Sequence, residues 1–174
     1  MPNNSLSGLL SAIINNPKYP TKEKILNKPL KHKREIIEAV KLWKKEYWKE
    51  AKTANPREKF ETLKLLLDNI AFTYDKPVNV EFIPEITSCC YNPRTQTIAI
   101  NNTTSIISAL HEMAHHLFGA SELKACRWSI WLFKKTFPIA YSKLIWNKHM
   151  LIKPTSICPT HQIGFPSDST TSSE

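Results

Sequence analysis

One stretch, "SALHEMAHHLFGASELKA" from Ser108 to Ala125, constrains the chain more than any other. Leu110, Met113, Ala114 and Leu117 recur at helical spacing, so this segment is a helix with one face against a core. Gly119, one of three glycines in 174 residues, stands where that helix must stop, because glycine tolerates the positive φ of a helix end. Ser121 can then cap a second helix from Glu122 to about Phe137. The chain is committed here to two helices and a sharp bend.

The polar residues of this stretch form the pattern H-E-x-x-H. His111 and His115 lie four apart, on one helical face and about 6 Å apart along the axis, where two ring nitrogens can share one Zn²⁺. Glu112 is turned about 100° round the helix, unsuited to ligation but suited to take a proton from a metal-held water. A site of this kind needs a third protein ligand. After His115 the choices are Glu122, Asp168, Glu174, His116, His149 and His161. Three of these fall in the tail and His116 is turned away; of the two that remain, Glu122 and His149, Glu122 is the best choice. On an unbroken helix Glu122 would be about 10 Å along the axis from His115, so the metal reading requires the break at Gly119. Against it stand plainer readings: histidines at accidental spacing, a glutamate complementing a helix dipole, and His116 as a structural ring beside Glu112.

If the site hydrolyses a peptide bond, the developing oxyanion needs a donor besides the metal, and Tyr141, His149 and Arg127 are candidates without a ranking. The strand Thr97, Ile98, Ala99, Ile100 is expected as a sheet edge that pairs with an extended substrate.

The rest of the chain reads as one α+β domain over 21–150, after a loose segment 1–20 and before a Pro/Ser/Thr-rich flexible tail 151–174. A helical pattern opens at Pro29, with Ile36, Val40, Trp43, Tyr47 and Ala51 as its stripe. "NPRE" at Asn55 to Glu58 is a capping box starting a helix that runs to about Phe72. Alternation over Val78 to Ile83, a short candidate at Thr87 to Tyr91, and Gln96 to Asn101 after the turn residues "NPRT" give a small three-stranded sheet with a hairpin. Asn101 to Thr104 offer caps for the H-E-x-x-H helix, and a last short helix is expected from Ile139 to about Met150.

Formal charge is +9, and residues 21 to 52 hold eleven Lys/Arg against five Glu. The basic helix over 30–52 reads as a solvated amphipathic face, or as a contact for nucleic acid or an acidic protein through Lys41, Lys44, Lys45, Lys49 and Lys52. Cys89, Cys90, Cys126 and Cys158 lack zinc-finger spacing and read as reduced thiols. With no apolar run of about 18 residues and no signal-peptide pattern, the expected location is the cytoplasm.

"TIAIN", "ALHEMAHHLFG" and "SELKACRWSIWLFKKTFP" together resemble the zincin metallopeptidases with a glutamate third ligand, more narrowly the compact ImmA/IrrE-like peptidases and the small gluzincins near them. The resemblance covers about residues 56 to 138, with Glu122, Ala125, Trp128 and Pro138 matching the family's glutamate helix. It implies a zincin-like fold and a zinc peptidase cutting one or a few intracellular proteins. No helix-turn-helix marks the DNA-binding domain often fused in that family. Two other function classes remain open: a basic nucleic-acid-binding module with a structural metal, and a catalytically silent zincin scaffold for protein interaction.

Overall fold

The computed structural model describes residues 19–49, 52, 55–148 and 150–154. It is a mixed α+β structure, with helices α1 (Lys22–Leu26), α2 (Arg34–Tyr47), α3 (Pro56–Tyr74), α4 (Ile106–Phe118), α5 (Glu122–Thr136) and α6 (Pro138–Ser142). The strands are β1 (Asn79–Phe82), β2 (Cys90–Asn92), β3 (Thr97–Ile100), β4 (Ile145–Asn147) and β5 (Met150–Ile152). Among the described residues no helix is long and apolar enough to cross a membrane.

α3 starts where its cap signals put it: Asn55 Oδ1 accepts from the Glu58 backbone N–H at 2.9 Å, and Pro56 takes a position whose missing N–H is harmless. It runs to Tyr74, two residues past the expected end, and closes on Asp75 in the left-handed region at φ 53°. Leu63, Leu66, Leu67 and Ile70 are buried along one face. They meet Ile36, Val40 and Trp43 of α2 and Leu110, Met113 and Ala114 of α4 in one core. α2 begins at Arg34 rather than Pro29, since the stretch before it is fastened to α5 through the Lys28 carbonyl and the His32 ring; Ala51, the last residue of its expected stripe, lies outside the described residues.

The three-stranded sheet has the order β1-β3-β2, β1 parallel to β3 and β2 antiparallel to it. β2 and β3 form the expected hairpin. All four residues of β3 are buried, which is what a central strand covered on both faces requires. β3 therefore has no free edge, and Thr97, Ile98, Ala99 and Ile100 cannot pair with a substrate: both sides of the strand are already hydrogen-bonded. Alternation and apolarity gave no sign of which of three short strands would be central.

The turn from β3 into α4 is built by Asn101. Its Nδ2 donates to the Ile86 carbonyl at 2.8 Å, and its Oδ1 accepts from Thr104 Oγ1 at 2.9 Å and the Thr103 N–H at 3.1 Å. The helix cap is Ser105, whose Oγ accepts from the Ser108 N–H at 3.1 Å. The expected caps at Asn101 to Thr104 are spent on closing the turn.

Beyond α5 the chain departs from expectation. α6 ends at Ser142, and Ile145 to Ile152 form the β4–β5 hairpin around Lys148 at φ 56°. Trp146 and Leu151 pack against a second small cluster of Ile25, Cys126 and Ile130. Leu151 and Ile152 thus belong to the folded unit and not to a tail; Ile145, Trp146, Leu151 and Ile152 are β-formers whose short run admits either period. Most of the expected loose segment 1–20, and the tail from 155 on, lie outside the described residues.

Candidate metal centre

α4 presents His111 and His115 one turn apart, and the bend brings Glu122, first residue of α5, back over them. His111 Nε2 lies 3.1 Å from His115 Nε2 and 3.3 Å from Glu122 Oε2; His115 Nε2 lies 3.5 Å from Glu122 Oε1. The three side chains are mostly buried, at 22%, 13% and 11% exposure, which shields the group from bulk water. Two ligands held at about 2.0–2.1 Å and a tetrahedral angle stand about 3.3–3.4 Å apart, so the spacing is that of one ion's coordination sphere. This His–His–Glu group could hold a metal ion.

The chemistry of the donors points the same way. His115 Nδ1 lies 3.0 Å from the Gly119 carbonyl. A carbonyl only accepts, so Nδ1 carries the proton and Nε2 of the neutral ring presents a lone pair. That lone pair faces a second imidazole nitrogen and a carboxylate. A cation satisfies all three at once.

Gly119 makes the bend. Its φ of 85° and ψ of −165° fall in a region that is essentially glycine's alone. An added Cβ would meet nothing within 4 Å, so the requirement is conformational and not steric crowding. The Gly119 N–H closes the helix by donating to the His115 carbonyl at 2.9 Å, and Ser121 Oγ caps α5 by accepting from the Lys124 N–H at 3.4 Å. The same glycine therefore ends α4, turns the chain and orients His115.

Glu112 lies beside the group. Burial pushes its carboxyl up to about 7, opposed by the nearby His115 and by the Tyr91 backbone N–H, with the Glu122 carboxylate adding to the rise. Tyr91 belongs to β2, so a sheet strand holds the acid next to the helix that carries it. His116 is locked outside the centre: its Nε2 donates to the Lys76 carbonyl at 3.2 Å, and its Nδ1 accepts from Tyr91 O–H at 3.1 Å. The plainer reading of His116 as a structural ring is the one this geometry supports.

Two cysteines flank the group. Cys126 Sγ approaches His111 Nδ1 at 3.9 Å, and burial raises its thiol to about 12. Cys89 is raised further by burial, then by the charge of Glu112. Cys126 was legible in principle, since it lies four residues after Glu122 and so on the same helical face. Tyr91 and Cys89 carry no such signal, because only strand packing brings β2 to α4.

The three candidate oxyanion donors fare differently. The Arg127 guanidinium is engaged elsewhere, donating to the Lys28 carbonyl at 2.5 Å, because the twist of α5 carries position 127 toward α1. Tyr141 packs against the cluster that contains Cys126, and burial raises its phenol. His149 lies outside the described residues. The former edge candidates Thr97 to Ile100 sit one strand further in than β2, whose Tyr91 reaches Glu112. No protein-family model matches the chain, and no curated protein or solved structure gives a significant match.

Proposed function

We propose that the chain is a zinc-dependent endopeptidase of the glutamate-zincin kind, acting on one or a few proteins in a reducing, cytoplasmic compartment. The observation that carries this reading is the convergence of His111, His115 and Glu122 at mutual distances of 3.1 to 3.5 Å with Glu112 alongside. Two nitrogens and one carboxylate are three protein ligands of the type that leave a coordination position open, the mark of catalytic rather than structural zinc sites. A zinc ion held there would supply a Lewis acid and lower the pKa of a water toward neutrality.

The chain's own residues do the rest. Glu112, held by the Tyr91 N–H and half-buried, takes a proton from the attacking water and delivers it to the leaving amine. The outer strand β2, not β3, is the edge along which an extended substrate can lie, since it borders Glu112. Tyr141 is the remaining described candidate for a donor to the oxyanion. The free thiols Cys89, Cys90 and Cys126 support the compartment.

The test combines metal content with hydrolysis of a quenched fluorescent casein. Wild type should retain about one zinc per chain, and Glu112→Gln should retain it too while losing at least about 100-fold in rate. Undiminished cleavage by Glu112→Gln, or equal metal content in wild type and His115→Ala, would overturn the assignment.

A further inference from the structure

Among the described residues, the basic helix over 30–52 is not the stretch most free of acids, since it carries Glu35, Glu38 and Glu46. In α2, Lys41 is paired with Glu38 at 3.4 Å, and Lys44 is folded inward, its Nζ donating to the Thr136 carbonyl at 2.9 Å and lying 5.2 Å from the Phe137 ring centre. The contrast is α5. From Lys124 to Thr136 every side chain that is not buried is a cation or a tryptophan: Lys124, Arg127, Trp131, Lys134 and Lys135. Their positions fall within an arc of about 100° and along about 16 Å of the helix. Residues 124–135 contain four Lys/Arg and no acid.

The fold then lays a second basic segment beside this stripe. Residues 22–33 carry five lysines against one glutamate, Glu23. Three long-range bonds fasten that segment to α5: Trp131 Nε1 donates to the Ile25 carbonyl at 3.3 Å, Arg127 to the Lys28 carbonyl at 2.5 Å, and His32 Nε2 to the Trp128 carbonyl at 2.9 Å. Lys22 also lies over Trp146 of β4, 5.8 Å from its ring centre. Two stretches about a hundred residues apart are thereby held side by side. Arg127, Lys134 and Lys33 are engaged there, on the Lys28 carbonyl, over Trp131 and over Tyr74. The exposed cations that remain are Lys124 and Lys135 of α5 with Lys22, Lys24, Lys28 and Lys31, and Glu23 is the one acid of residues 22–33.

We propose that these cations bind the phosphodiester backbone of nucleic acid, independently of the peptidase reading. Protein surfaces ordinarily mix both signs, whereas a duplex repeats one negative charge per about 1.7 Å of axis; a stripe of one sign over about 16 Å complements the second and not the first. This surface does not read bases by stacking. Trp131 is pinned by its indole N–H and capped by Lys134 at 4.7 Å, and Tyr141 is capped by the same ammonium at 5.4 Å. Binding is therefore through phosphates and indifferent to sequence.

Fluorescence anisotropy with a labelled 20-base-pair DNA of arbitrary sequence tests this on the full chain. Binding should be present at 50 mM KCl and weaken about 100-fold by 200 mM, the loss expected for about four phosphate contacts. Lys124→Gln/Lys135→Gln, two exposed positions remote from any packing role, should lose at least tenfold in affinity and reduce the salt slope by about two. Lys41→Gln/Lys45→Gln on α2 should bind as wild type does. No binding at 50 mM, or equal loss in both double variants, would overturn the proposal. Poly-glutamate of twenty residues binding as tightly as the DNA would overturn it in favour of an acidic protein partner.

Discussion

Gly119 decides more than any other single residue. Its backbone conformation costs a residue with a Cβ about 1–3 kcal/mol, and its carbonyl fixes the tautomer of His115. Gly119→Ala should therefore lower the unfolding free energy by an amount in that range and weaken zinc binding together, measured by urea unfolding and by competition with a chelating dye. A variant that lost stability while keeping full metal affinity would separate the two roles. Cys126 is a subtler case. It backs His111 at 3.9 Å, and partners of this type orient a ligand ring; replacing them typically costs about 10–100-fold in metal affinity. Cys126→Ala should show a loss in that range by the same competition assay. His116, although it adjoins H-E-x-x-H in sequence, is committed to Lys76 and Tyr91, and His116→Gln should leave metal content unchanged.

At the level of elements, the β3–α4 turn positions the centre. Asn101 is buried and serves three partners with one side chain. Asn101→Ala would take the side-chain donor from the Ile86 carbonyl and the acceptor from the Thr104 O–H, which would keep the Asn101 backbone N–H; each loss costs about 1–3 kcal/mol, and a thermal melt should show a drop of several degrees. The capping signals at Asn55, Pro56 and Ser121 were legible because a cap is a local contract between neighbours in sequence. Strand order was not legible. Val80, Tyr91 and Ile98 all suit a strand, and which of them is central depends on partners far along the chain. The β4–β5 hairpin was missed for a related reason: residues 139–150 hold apolar residues at both periods, and packing of Trp146 and Leu151 on the cluster around Cys126 decides between them.

Across the whole molecule, α5 ties the parts together: it supplies Glu122 to the centre, Trp128 and Leu132 to the core, and its outer face to the segment around α1. His32 is one of the fastenings, and burial lowers its pKa below the ordinary 6.5. The unfolded chain then takes up a proton at His32 more readily than the folded one. Its contribution to stability is present above about pH 6.5 and is lost as pH falls through the lower folded value. Wild type should lose stability between pH 7 and pH 5 more steeply than His32→Gln, read as the difference in urea midpoints across that range. Parallel slopes would mean that the ring titrates alike in both states.

The sequence by itself determined the helix–break–helix unit, the identity of the three residues that meet there and of the glutamate beside them, and the caps that start α3 and α5. All of these are set by spacing along a helix or by a neighbour's side chain. Only the tertiary structure decided that β3 is central, that Tyr91 holds Glu112 and His116, that Arg127 turns away, and that two basic segments lie side by side. The physical reason is the same in each case. Short strands and exposed charges have no preferred partner of their own, and they acquire one only when distant segments bury their apolar sides together.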